Sequence, residues 1–179
     1  MNSNFKLFIA LDLDKIISGN HLFNSPESPK ISPSNLVHML YLDEKENKLI
    51  DKGGEVLTLE NVNRGDSIYW SVITLPNYKS YFTAVLEKYI KVGKETQIIS
   101  IPDLNVKTVT IPYIRNDDDR EVEKSKIKNN YWVSEVRSVG DVHSQEYQGM
   151  FSVYNNEGTR LGYSNFTHRL ILNSPKQNP

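Results

Sequence analysis

Apolar and polar residues of this chain change places over short distances, and most apolar runs are too brief to make a helix. Phe5-Lys-Leu-Phe-Ile-Ala-Leu11 is one such run. Its length favours a buried strand over a helix of roughly ten residues or more, so it is expected to lie centrally in a sheet. Asp12 or Asp14 then precedes Lys15-Ile-Ile-Ser-Gly19, where an acidic N-cap and a closing glycine frame about one helical turn. Strands are expected at residues 36–42, 49–50 and 56–59. Ser67-Ile-Tyr-Trp-Ser-Val-Ile-Thr74 is the clearest strand of the first half, because β-branched and aromatic residues fill it. Residues 81–92 fit both periods, and their Tyr, Phe, Thr, Val and Ile content favours a strand.

Further along, residues 98–101 and 106–111 read as two short strands separated by Pro102-Asp103, with each proline confining its strand end to an edge or boundary. The last third has the cleanest alternation. Tyr147, Gly149, Phe151 and Val153 fall on one side of an extended chain, and Gln148, Met150, Ser152 and Tyr154 on the other. Asn155-Asn-Glu-Gly158 turns the chain back into a strand at 159–165, and 169–172 is the last strand expected. Two stretches read as loops: residues 24–34, which hold three prolines and four serines, and the polar segment 116–130 with three consecutive Asp.

Ten or so short strands with turn signals between them predict an all-β fold, a two-sheet antiparallel β-sandwich of jelly-roll-like character with at most one or two short helices. A closed barrel is the next choice. At 179 residues the chain suits one domain spanning 1–179, with a core over about 5–172 and a polar tail at 173–179.

Charge adds little to this picture: 21 Lys plus Arg stand against 22 Asp plus Glu, so no global field attracts nucleic acid or an anionic membrane. The chain has no cysteine, which removes disulfides, zinc–thiolate sites and cysteine nucleophiles and suits a reducing cytoplasm. No apolar run approaches the roughly 20 residues that span a bilayer. The first residues lack the pattern of a secretory signal. A cytoplasmic protein is therefore expected, with release to the exterior left open.

Catalytic signatures of hydrolases, zinc proteases, phosphate-binding loops and dinucleotide folds are missing, so no enzyme is expected. His21, His38, His143 and His168 are scattered without metal-ligand spacing. Asp12 and Asp14 project to one side of an extended chain and offer hard oxygen ligands for Ca²⁺; the competing reading is that one of them caps the turn that follows. Asn116-Asp-Asp-Asp119 also offers oxygens but lacks the glycine and terminal glutamate of an EF-hand loop. Ten Tyr, six Phe and two Trp would make a sugar platform if exposed beside amides and carboxylates. The alternative is that these rings are core, and Trp70 and Trp132 read as core anchors.

Several segments, taken in order, resemble the AidA/PixA family of bacterial inclusion-body proteins: Leu7-Phe-Ile-Ala-Leu-Asp12-Leu-Asp14-Lys-Ile-Ile17, the Pro/Ser/Asn loop at 24–34, Gly65-Asp66-Ser-Ile-Tyr-Trp70, Tyr131-Trp132, and 147 through Gly162-Tyr163. The resemblance implies a compact β-sandwich without established catalysis. It also implies bacterial cytoplasmic expression often linked to quorum sensing or host association, self-association, and in some members calcium-dependent lectin activity. By position, Asp12 matches the family's acidic residue after its first strand, and Asp66 the Gly-Asp that opens a middle strand. The chain departs from the family after Gly162-Tyr163, where Ser164-Asn-Phe-Thr-His168 replaces the usual continuation, and it has three Met where the inclusion-forming type is methionine-rich. The function expected is thus non-catalytic ligand binding: a carbohydrate partner, Ca²⁺ as the cofactor, ligand residues Asp12, Asp14 and Asp66, and a homo-oligomer. The alternative is a self-assembling storage or structural protein without a small ligand.

Overall fold

The computed structural model describes residues 3–27, 30–43, 48–51, 53, 55–75, 81–93, 97–114, 122–139 and 143–175. Eleven strands and one short helix follow in the order β1 (Asn4–Leu11), α1 (Leu13–Ser18), β2 (Lys30–Ile31), β3 (Val37–Asp43), β4 (Lys48–Asp51), β5 (Val56–Leu59), β6 (Ser67–Thr74), β7 (Thr83–Lys91), β8 (Asp103–Ile114), β9 (Val122–Glu135), β10 (His143–Tyr154) and β11 (Arg160–Leu172). A 3₁₀ turn, Ser34–Leu36, leads into β3. The first sheet has the order β4-β3-β1-β6-β9-β8; the second has β2-β11-β10-β7, with β5 also beside β11. Both sheets are open, so the all-β two-sheet expectation holds and the barrel does not form.

Phe5, Leu7, Ile9 and Leu11 of β1 point inward with Ile68 and Trp70 of β6, and meet Leu86, Tyr89, Tyr147, Phe151, Phe166 and Leu170 from the second sheet in one buried cluster. Trp70 is fully buried, and its ring centroid lies 4.8 Å from that of Tyr89 on the opposite sheet. Trp132 is half-buried, and its Nε1–H donates to the Leu86 carbonyl at 3.1 Å, another tie between the sheets. The inward set Tyr147, Gly149, Phe151 and Val153 is buried as the alternation requires.

Several expectations need correction. The sheets are mixed: β1 runs parallel to β6, and β11 runs parallel to both β2 and β5. Residues 122–130 belong to β9 although their polarity predicts a loop; all but the half-buried Glu123 are exposed, so no buried face marks them in the sequence. Pairing with β8 makes them a strand, in register from Asp103↔Val133 to Ile114↔Val122. Ile99 forms only an isolated bridge to Val136, and the strand after it starts at Asp103 and runs through Pro112. That proline is tolerated because β8 is an edge strand. Residues 160–172 form one strand where the sequence pattern predicts two, held throughout by β10. The loop expected at 24–34 contains the two residues of β2. The acidic run at 116–119 lies outside the described residues.

Candidate functional site

The acidic residues nominated by the sequence lie at opposite ends of one strand. Asp12 follows β1 and caps α1: its Oδ1 accepts from the Lys15 N–H at 3.2 Å, and its Oδ2 lies 2.8 Å from Lys15 Nζ. Burial pushes the Asp12 carboxyl up, but the hydrogen bonds and charge of Lys15, helped by His38, outweigh it and leave the pKa below the usual carboxylate value. Asp14 sits in the first helical turn, where its charge complements the helix dipole. Asp66 is fully buried beside the other end of β1. Its two carboxylate oxygens accept from the Ser3 N–H at 2.7 Å and the Asn63 N–H at 2.8 Å. Since β1 and β6 are parallel with Asn4 opposite Ser67, Asp66 lies roughly 30 Å from Asp12 at about 3.3 Å per residue.

These three carboxylates therefore form no common site. Among the described residues no group of three or more His, Cys, Asp or Glu side chains converges as a metal cage. Calcium takes six to eight oxygens, and at Asp12 a cation would have to displace the Lys15 ammonium.

The second sheet contains a different kind of feature. One side of β11 is paired along its whole length with β10, while the other side meets two short strands with a gap between them. β2 reaches only Asn165, where the Ser32 N–H donates to the Asn165 carbonyl at 2.7 Å. β5 begins at Arg169, whose N–H donates to the Glu55 carbonyl at 2.7 Å. Alternate residues of a strand present their main-chain groups to the same side, so Thr167 is the residue whose N–H and C=O face the gap.

A cleft of about 570 Å³ occupies this interruption. Ile31 and Val56, 58% and 42% exposed, form apolar walls, and Val37, Phe166 and His168 reach it from the core. Ser32, Ser34, Glu55, Glu146, Thr167 and Arg169 supply its polar groups. Ser34 Oγ donates to Glu55 Oε1 at 2.9 Å and orients that carboxylate, while Glu146 and Arg169 are directly opposite across the β10–β11 ladder. A shallower hollow of about 500 Å³ shares Ser34, Glu55 and Val56 and continues toward His38 and Asp51, whose side chains meet at 3.2 Å.

His168 connects the cleft to the aromatic core. It is 2% exposed, and its Nε2 is 2.8 Å from the Tyr89 hydroxyl, but its Nδ1 has no hydrogen-bond partner among the described residues. Burial lowers its pKa to about 3, so the ring is neutral at pH 7. Burial also raises the Tyr89 phenol, with a further push from Tyr147, and it raises Tyr147 against an opposing hydrogen bond from Ile99. Both hydroxyls are protonated donors at neutral pH. A buried polar atom without a partner calls for a ligand or water, and this one belongs to a residue that lines a cleft.

Trp70, Tyr89, Tyr147, Phe151 and Phe166 are all buried, so these rings form core and not a surface platform for sugars. Local sequence singles out neither Glu55, Glu146 and Arg169 nor the special position of His168. One signal does exist: His168 alternates in phase with Phe166 and Leu170, which places an imidazole on the inward face of a strand.

The chain is a two-layer β-sandwich with a polar-rimmed cleft at an interrupted sheet edge. The PixA family model, described as inclusion body protein, matches residues 3–170, and the chain belongs to that family. Among solved structures it is similar to an inclusion body protein, PixA, from Burkholderia cenocepacia J2315, with 14% identity, 96% of each chain covered and a TM-score of 0.65. No protein of curated function matches the chain in sequence. Among the described residues, no helix is long and apolar enough to cross a membrane.

Proposed function

We propose that this PixA-family chain is a non-catalytic binding protein that takes a carbohydrate in the cleft at the β11 edge. The observation that carries the reading is the meeting of apolar walls and a polar rim at one interruption of the sheet, lined also by buried His168, whose Nδ1 has no hydrogen-bond partner among the described residues. A sugar ring offers C–H faces for Ile31 and Val56 and hydroxyls that donate to Glu55 and Glu146 or accept from Arg169. Calcium enters this proposal only at Asp12 and Asp14, in competition with Lys15. Its effect would reach the cleft through the Asp12 N–H, which donates to the Leu36 carbonyl at 3.0 Å at the end of the Ser34–Leu36 turn. Low affinity at each site would rise by avidity in an oligomer.

The test is a glycan array probed with the purified chain in excess Ca²⁺ and again in chelator, alongside Arg169→Ala and Glu55→Gln. Binding to a defined sugar set that both variants lose without a change in thermal stability is the expected result. No binding in either condition, or binding that survives Arg169→Ala, overturns the proposal. Asp12→Ala and Asp14→Ala assign the calcium arm: a Ca²⁺ response that persists in both places the ion elsewhere.

A further inference from the structure

The near-balance of charge over the whole chain conceals a local imbalance on the β8–β9 ribbon. Trp132 of β9 is directly opposite Trp70, whose ring is in the core, so Trp132 marks the inward face of its strand. Alternation puts Asn130, Lys128, Lys126 and Lys124 on that same face. Their partners on β8 are Val106, Thr108, Thr110 and Pro112. The carboxylates of the two strands, Asp103, Glu123 and Glu135, fall on the other face. Over β8 and β9, then, one face carries only cations and the acids lie on the other.

The ribbon extends beyond its neighbour in the sheet, because β6 pairs with β9 only from Trp132 to Glu135. Lys124, Lys126 and Lys128 are exposed on this extension, and none forms an ion pair among the described residues. Successive lysines lie about 6.8 Å apart along the strand, so they repel one another and favour an anion that touches all three. Where the row meets the sandwich, Lys128, Asn130 and Trp132 line a pocket of about 170 Å³ with Val72, Ala84 and Leu86.

We infer that this face binds single-stranded nucleic acid, with Lys124, Lys126 and Lys128 along the phosphates and one base received in the pocket against Trp132 and Asn130. A cationic row that tracks a backbone and ends at an aromatic ring is what single strands need, since phosphates supply the repeated charge and every base has a face to stack. The exposed Thr108 and Thr110 hydroxyls, beside Lys128 and Lys126 in the ladder, can donate to phosphate oxygens. An acidic polysaccharide would meet the same lysines but has no planar base for the pocket, and a duplex keeps its bases paired. In sequence, Asp117, Asp118 and Asp119 precede β9, and their charge opposes an anion that runs past the start of that strand.

The test is fluorescence anisotropy at low salt, with the full chain and a labelled oligo(dT) of about eight nucleotides, within the usual site sizes for single strands. The wild type should bind with a slope of log K against log salt of about −2, from three phosphates at roughly −0.7 each. Lys124→Gln with Lys126→Gln and Lys128→Gln should weaken binding tenfold or more and flatten that slope. A variant of equal charge change elsewhere, Arg64→Gln with Lys88→Gln and Lys107→Gln, should bind as the wild type does. An abasic chain of the same length should bind about fivefold or more weakly than oligo(dT), and Trp132→Leu should remove that difference. No binding at low salt overturns the inference. So does an equal loss in the two triple variants, or equal binding of heparin, the abasic chain and oligo(dT). Should Trp132→Leu misfold, the lysine and probe comparisons decide. Sugar binding at the β11 cleft is read separately, through Arg169 and Glu55, so failure of either reading leaves the other standing.

Discussion

The ring of Phe166 lies over Gly149, filling the place that a side chain there would need. The two residues are directly opposite across β10 and β11, and a Cβ built on Gly149 would meet Cζ and Cε1 of Phe166 closer than real atoms approach. The glycine is thus a packing requirement, and the aromatic ring supplies the area that the glycine lacks.

Gly149→Ala should destabilise the chain by about 2–3 kcal/mol, since overpacking a filled core costs this much. Phe166→Ala alone should cost about 3–5 kcal/mol through the cavity it leaves. The double variant should cost less than the sum, because each change relieves the other's defect. Additive losses in denaturant titrations would show that the ring moves aside freely.

His168 predicts a loss of stability in mild acid. Its folded pKa is about 3, below the roughly 6.5 of an unfolded histidine, so between these values the unfolded chain binds the extra proton. Stability should therefore fall as pH drops through that window, by at most about 1.4 kcal/mol per pH unit from this group. Comparing the wild type with His168→Phe at pH 7 and pH 5 isolates the effect: the wild type should lose more over this interval, and parallel losses would contradict it.

Asp66→Ala should be costly although the residue lines neither the cleft beside β11 nor the hollow next to it. It removes the buried carboxylate that accepts from the Ser3 and Asn63 N–H groups, and a hydrogen bond to a charged group contributes about 1.5–3 kcal/mol. Hydrogen exchange should show faster opening at the start of β6. An unchanged unfolding midpoint would assign Asp66 a role other than holding the turn.

Asp12→Ala removes the cap of α1 and the ion pair with Lys15. A loss of about 1 kcal/mol is expected from the cap, with little from the exposed pair. Lys15→Ala should be close to neutral at pH 7, and the difference between the two variants, read by thermal unfolding, separates cap from ion pair.

Much of the local architecture is legible in the amino-acid sequence. β1 follows from a short apolar run, β6 and β7 from β-branched and aromatic content, the inward set of β10 from alternation, and α1 from an acidic cap before Lys15-Ile-Ile. β9 is not legible over 122–130, because a strand exposed on both faces leaves no period-two hydrophobic trace. The cleft is not legible either. Ser32, Glu55, Glu146 and Arg169 are far apart in sequence, and they meet only because two short strands pair with β11 and stop before reaching each other.

By itself, then, the order of residues determined the all-β class, most strand positions, the helix cap and the inward aromatic face, since each depends on neighbours a few positions away. Tertiary structure decided the parallel pairing of β1 with β6, the gap beside Thr167 and the burial of the His168 imidazole. Those features depend on which distant strands share a ladder, and register between distant strands is set by the packing of whole sheets, which no local pattern encodes.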